Sequence, residues 1–133
     1  MSSAPINSVM LVDDNDTDNF IHKRVLELSK FCSNIIIKNS GKSALEYLRN
    51  NLSNADALPD IIFLDINMPI VDGFVFLFEF ESMSDDLSKR PRIVILSSSD
   101  NKKDIDRIVD NEFVIKFITK PLSEEALAEL GKM

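Results

Sequence analysis

The chain has 133 residues, 44% hydrophobic and 28% charged, with a formal net charge of −7. That is the size and make-up of one folded domain around a single core, not of a disordered tail. The acidic balance disfavours nonspecific binding to nucleic acid or an anionic membrane, and no apolar run nears the roughly 20 residues of a bilayer span.

Along the chain, short apolar runs alternate with helical patterns. The first strand is "SVMLV" at 8–12. A helix follows from Thr17 to Phe31, with Phe20, Ile21, Val25, Leu28 and Phe31 as its inner stripe. The single histidine, His22, reads as a surface or boundary residue of that helix, and the single cysteine, Cys32, packs beside its end. One cysteine excludes a disulfide within the chain, and the polar start "MSSAPINS" lacks signal-peptide character. Both fit a reducing, cytoplasmic location.

The second strand is "NIIIK" at 34–38. Ser40 then caps a helix holding Ala44, Leu45 and Leu48, and the polar loop "RNNLSNADALPD" closes at Pro59. The third strand is "IIFL" at 61–64. The segment from Gly73, "FVFLFEF", has alternating Phe74, Phe76, Phe78 and Phe80, which alone fits a strand. It follows a turn and runs on into "ESMS", so helix is preferred. One or two of its phenylalanines are then exposed, marking a homodimer or partner contact. Gly73 supplies a permissive backbone position at the helix start.

The fourth strand is "RIVIL" at 92–96, and Asp100 or Ser99 caps a helix with Ile105, Ile108 and Val109 inside. The fifth strand, "FVIKFI" at 113–118, is interrupted by Lys116 and reads as an edge strand. Ser123 caps the fifth helix, with Ala126, Leu127 and Leu130 inside. Five β-α units with continuous apolar strands argue for a doubly wound parallel α/β sheet, covered on both faces.

Ligands in such sheets sit beyond the carboxyl ends of the strands. Asp13 and Asp14 end the first strand, Asp65 the third, Ser97 to Ser99 the fourth, and Thr119 and Lys120 the fifth, before Pro121. Gathered carboxylates need a proton or a cation to offset them. Oxygen donors without His or Cys suit a hard ion such as Mg²⁺ and not zinc. Lys120 balances charge and can hold an anion, a Ser97 hydroxyl can donate to a phosphoryl oxygen, and Asp65 can attack phosphorus. The plainer reading makes Asp13 and Asp14 capping residues of "DDNDTD", and Lys120 a solvated lysine. The proline restricts Lys120 to extended backbone and leaves the peptide isomer open.

These residues in order, "LVDDN" at 11–15, "LDINMPIVDG" at 64–73, "LSSS" at 96–99 and "KP" at 120–121, resemble the response-regulator receiver domains of two-component signalling. The resemblance covers about residues 6–131 of a single 1–133 domain. It implies a flavodoxin-like fold with strand order 2-1-3-4-5. By position, Asp65 would be the phosphoacceptor, Asp14 the direct Mg²⁺ ligand, with Mn²⁺ as substitute, and Asp13 a ligand through water. Asn67 would lend its backbone carbonyl to the metal and tune hydrolysis. Ser97 would be the switch hydroxyl, the Ser98 backbone N–H would bind the phosphoryl group, and Lys120 would be the family's lysine. Phe117 would be the aromatic switch, lacking the hydroxyl of the tyrosine frequent there.

The resemblance also implies a phosphohistidine donor, either a sensor histidine kinase or a histidine phosphotransfer protein. The domain would catalyse its own phosphorylation and dephosphorylation without being a turnover enzyme. Only "GKM" follows Leu130, so output is expected from the surface of the fourth helix, fifth strand and fifth helix towards a downstream protein, with no output domain. Competing readings are a phosphorylation-independent protein-binding module and a phosphatase with an aspartyl nucleophile. The phosphatase usually needs an acid where Asn67 stands. A flavodoxin-like cofactor binder would need a phosphate loop in place of "DDNDTD".

Overall fold

The computed structural model describes residues 6–66, 68, 72–98 and 102–131. Five strands, β1 (Ile6–Val12), β2 (Cys32–Lys38), β3 (Ile61–Leu64), β4 (Arg92–Ser97) and β5 (Val114–Thr119), form one parallel sheet in the order β2-β1-β3-β4-β5. The helices are α1 (Asp16–Leu28), α2 (Gly41–Asn50), α3 (Gly73–Met83), α4 (Lys102–Val109) and α5 (Glu124–Gly131). A single 3₁₀ turn, Ser84–Asp86, follows α3. This is the doubly wound sheet expected from the alternation of elements, in the flavodoxin-like strand order that the resemblance implies. Among the described residues, no helix is long and apolar enough to cross a membrane.

The apolar strand runs are continuous because successive side chains enter different cores. Met10, Val12, Ile62, Leu64, Ile93 and Ile95 pack under α2, α3 and α4 with Leu48, Phe76 and Phe80. Val9, Leu11, Ile61, Phe63, Val94 and Leu96 pack on the other face with Leu26 of α1 and Leu127 and Leu130 of α5. β5 is an edge strand as expected, and Lys116 is a wet position whose ammonium pairs with Glu129 at 2.7 Å.

The phenylalanine segment is helical. Asp72 caps it by accepting the Val75 N–H at 3.0 Å. Phe76 and Phe80 are buried and stacked 6.3 Å apart, Phe74 is half-buried, and Phe78 is 71% exposed. The expected caps at Ser40 and Ser123 are present: their hydroxyls accept the N–H groups of Ser43 and Ala126, both at 3.1 Å. Ile108 is buried inside α4 as expected, whereas Ser99, Asp100 and the side chain of Val109 lie outside the described residues.

α1 corrects the sequence reading in two ways. It ends at Leu28 and not at Phe31. Lys30 adopts φ 51°, and the N–H groups of Lys30 and Phe31 return to the carbonyls of Glu27 and Leu26 at 3.2 Å each. This is a Schellman stop, with buried Phe31 packing beyond the helix in the same core as Leu26. The inner face is also rotated. Asn19, His22 and Leu26 are buried, while Phe20, Ile21 and Leu28 are exposed. His22 is therefore a core residue and not a surface one.

Asp60, just before β3, ties three strands together. Its carboxylate accepts the N–H groups of Asn7 at 2.7 Å and Ser8 at 3.1 Å and pairs with Lys89 at 3.0 Å. Its carbonyl accepts the Arg92 N–H at 3.0 Å. Burial acts to raise its pKa, but the Lys89 contact and the two backbone donors outweigh this and hold it below the ordinary 3.8. A carboxyl depressed on folding stabilises the fold above its unfolded pKa, and this is lost as pH falls through the folded value. Asp60→Ala should therefore lower stability by about 2 kcal/mol at pH 7. The gap from wild type should narrow in urea titrations below pH 4, about the ordinary carboxyl pKa.

Candidate functional site: the acidic pocket at the strand tips

The sheet ladders set the site. Val12 lies opposite Leu64, Leu64 opposite Ile95, and Ser97 opposite Thr119. Backbone bonds continue this register one residue past the strand ends: Asp13 N–H to the Lys38 carbonyl at 3.1 Å, Asp65 N–H to Val12 at 3.0 Å, and Lys120 N–H to Ser97 at 2.9 Å. Asp13 and Asp65 thus emerge side by side from the two neighbouring strands β1 and β3. The Lys120–Pro121 peptide, left open by the sequence, is cis.

Asp13 is 4% exposed, Asp65 6% and Ser97 0%, while Asp14 and Ser98 are exposed. The Asp13 main chain and side chain are both held: its carbonyl accepts the Asn19 amide at 2.8 Å, and Oδ1 accepts the Asn15 N–H at 2.9 Å. Asn15 itself caps α1 by accepting the Asp18 N–H at 3.0 Å. Lys120 Nζ reaches Asp13 Oδ2 at 2.7 Å, Asp18 Oδ2 at 2.8 Å and Asp65 Oδ2 at 3.6 Å. Burial acts to lower the Lys120 pKa, but the hydrogen bonds to Asp13 and Asp18 and the charges of Asp65 and Asp13 raise it well above its ordinary value. The ammonium stays charged throughout the neutral range.

Asp13, Asp14 and Asp65 each offer a carboxylate oxygen, and these lie within 4.8 Å of one another. Among the described residues no histidine or cysteine joins this cluster. An all-oxygen donor set of this kind fits a hard divalent cation and disfavours zinc. The combination of acidic cluster, ammonium and buried hydroxyl can hold a cation and a phosphoryl-like anion together.

The structure therefore gathers Asp13, Asp14, Asp65 and Lys120, with Ser97 at the adjoining strand tip. Phe117, opposite Ile95 in the register, is half-buried against the core under α2 to α4. Asn67 lies outside the described residues. Two neighbours escaped the sequence reading. Asp18 looked like one more acid in a capping stretch. His22 lines a crevice beneath the site with Asp13, Asn19, Phe63 and Asp65, too narrow for a water molecule. Burial and the Lys120 charge lower its pKa, with Asp18 and Asp13 opposing, so it packs there as neutral imidazole at pH 7. Burial raises the Cys32 thiol pKa to about 11, which disfavours the reactive thiolate at neutral pH.

The comparisons with known proteins agree with this geometry. The family model described as "Response regulator receiver domain" matches residues 9–131. The probable methanogenesis regulatory protein FilR2 of Methanothrix harundinacea is 34% identical over 90% of this chain and 75% of its own. A two-component response regulator from Cytophaga hutchinsonii superposes with a TM-score of 0.86 at 31% identity, covering 96% of this chain and 95% of that one. The phosphorylated cyanobacterial phytochrome response regulator RcpA gives 0.72 at 33% identity, over 95% and 89% of the two chains. The Mn²⁺-bound form of response regulator Rcp1 gives 0.72 at 27% identity with the same coverage. With the family model spanning nearly the whole chain and the acidic pocket at its strand tips, the chain belongs to the response regulator receiver domain family.

Proposed function

We propose that this receiver accepts a phosphoryl group on Asp65 from a phosphohistidine of a sensor histidine kinase or a histidine phosphotransfer protein. The observation that carries the reading is the placement of the Asp65 carboxylate. It is buried at a central strand tip, within 4.8 Å of Asp13 and Asp14 ligand oxygens and 3.6 Å from the Lys120 ammonium. The solved structures of phosphorylated RcpA and of Mn²⁺-bound Rcp1, which this chain resembles, support it.

Asp14 and Asp65 would hold Mg²⁺ directly, Asp13 through water, and the Asn67 carbonyl would complete the protein's share. Mn²⁺ would substitute on the same oxygens. Bound there, the cation supplies positive charge to the phosphoryl oxygens. In the transfer, one Asp65 carboxylate oxygen attacks phosphorus and forms the P–O bond as the P–N bond to the donor imidazole breaks. The imidazole leaves with the bonding pair and takes up a proton. Lys120 neutralises phosphoryl charge, and the Ser97 hydroxyl and Ser98 N–H donate to its oxygens. Water later attacks phosphorus as the P–O bond to Asp65 breaks, releasing phosphate and restoring the carboxylate, a step that Asn67 would tune.

The phosphoryl group adds charge and strong acceptors that draw the Ser97 hydroxyl. Phe117, without a hydroxyl, responds through packing alone. The shift changes the surface of α4, β5 and α5, which engages the downstream protein.

Incubation with Mg²⁺ and acetyl phosphate, followed by intact mass measurement, should show one phosphoryl adduct, absent from Asp65→Asn. No adduct overturns the assignment and favours a phosphorylation-independent binding module, and an adduct that persists in Asp65→Asn overturns Asp65 as the acceptor.

A further inference from the structure

We propose that Asp18 is a positioning residue for Lys120, competing with the phosphoryl group for its ammonium and so setting how readily Asp65 is phosphorylated. The inference rests on the reading of Asp65 as phosphoacceptor. An ammonium has three N–H donors and no acceptor. Two are engaged at hydrogen-bond distance, by Asp13 at 2.7 Å and Asp18 at 2.8 Å. Asp65, at 3.6 Å, lies beyond that distance. Lys120 is thus drawn towards β1 and the first turn of α1, away from the carboxylate that needs it.

Asp18 is not occupied as the helix cap. Asn15 fills that role by accepting the Asp18 N–H, and Asp16, also acidic and in the first turn, is exposed. The Asp18 carboxylate instead crosses to a lysine 102 positions later in the chain.

The two short contacts differ in how easily they are released. The Asp13 side chain is 6% exposed and the Asp18 side chain 33%. Water can replace Lys120 at Asp18, whereas leaving Asp13 strands a buried charge. A phosphoryl group on Asp65 therefore takes Lys120 from Asp18. The Asp18 charge also opposes an approaching anionic donor, so both effects restrain phosphorylation.

The test measures phosphorylation by acetyl phosphate with Mg²⁺ in the full chain, by intact mass across donor concentrations, for wild type, Asp18→Asn and Asp18→Glu. Asp18→Asn keeps the shape and removes the charge. It should reach half-maximal phosphorylation at about fivefold lower donor concentration. Asp18→Glu, which restores the charge, should return to within about twofold of wild type. A merely structural role would not follow charge in this way, and thermal melts of both variants report their folding separately. If wild type forms an Asp65-dependent adduct and Asp18→Asn needs as much donor or more, the role of Asp18 is overturned and the phosphoacceptor reading stands. If Asp18→Asn is the more reactive but Asp18→Glu is equally so, charge competition is overturned. If wild type forms no adduct, the phosphoacceptor reading falls, and this inference with it.

Discussion

Lys120→Met should destabilise the protein by about 3 kcal/mol at pH 7 in the presence of a chelator, read by urea unfolding. Methionine retains most of the apolar stem, so the loss reports charge more than packing. The ammonium is the cation shared by Asp13, Asp18 and Asp65, and its side chain is only 13% exposed. Removing it leaves Asp13 and Asp65 as neighbouring buried carboxylates whose repulsion water screens poorly. Exposed ion pairs elsewhere, such as Arg49–Glu79 or Arg90–Asp85, should each contribute well under about 1 kcal/mol. The contrast lies in burial, not distance: these pairs are 3.0 and 3.1 Å long. Millimolar Mg²⁺ should restore part of the lost stability, since a ligand bound only by the folded state stabilises it by mass action. A variant as stable as wild type in chelator would show that Asp13 and Asp65 do not depend on Lys120. Stability lost but indifferent to Mg²⁺ would remove the acidic cluster from consideration as a cation site.

The strands and their tips were legible because a parallel sheet buried on both faces leaves a simple signature. β3 has to be apolar at every position, so the first carboxylate after it, Asp65, stands out, as does Asp13 after the apolar run Val9–Val12 that ends β1. Helix faces were less legible. In α1 an apolar stripe of Phe20, Ile21 and Leu28 was a plausible inner face, yet these are exposed and Asn19 and His22 are buried. The Asn19 amide bonds the Asp13 carbonyl at 2.8 Å, and with buried Leu26 it holds this face inward. Hydropathy carries no trace of a buried side-chain N–H bonded to a backbone carbonyl. Asp18 was hidden for a related reason. Acids near a helix start are common because they favour the dipole, and only the three-dimensional path of Lys120 separates Asp18 from Asp16. In α3 the preference for helix holds, but which phenylalanines are buried became clear only with neighbours present. Phe80 meets Phe113 edge-on at 5.4 Å, and Phe74 lies beneath the Arg107 guanidinium at 3.8 Å, a contact joining α3 to α4.

Gly73 matters at the start of α3 for close approach and not for backbone freedom, and Gly73→Ala should destabilise the protein. Its φ is not positive, so backbone freedom is not what the position requires. A Cβ there would sit 2.6 Å from both Cα and Cγ2 of Ile66. The Gly73 N–H also donates to the Ile66 carbonyl at 3.1 Å. The start of α3 therefore rests directly on the residue that follows Asp65, and only a hydrogen fits between them. In Gly73→Ala, higher helix propensity favours the variant by up to about 1 kcal/mol. Overpacking against backbone costs about 3 kcal/mol, because the obstacle is not the end of a flexible side chain. The net expectation is a loss of about 2 kcal/mol in thermal or urea unfolding. Gly131→Ala is the matched control: it is also a helical glycine, but a Cβ there meets nothing within 4 Å, so the propensity gain should appear unopposed and the melting temperature should rise. The two substitutions should thus have opposite signs. Gly73→Ala should also slow phosphorylation by acetyl phosphate, since relieving the clash displaces Ile66 and with it the Asp65 carboxylate. A Gly73→Ala protein as stable as Gly131→Ala would mean that α3 can draw back from β3 freely, and that the tip of β3 is not held by this contact.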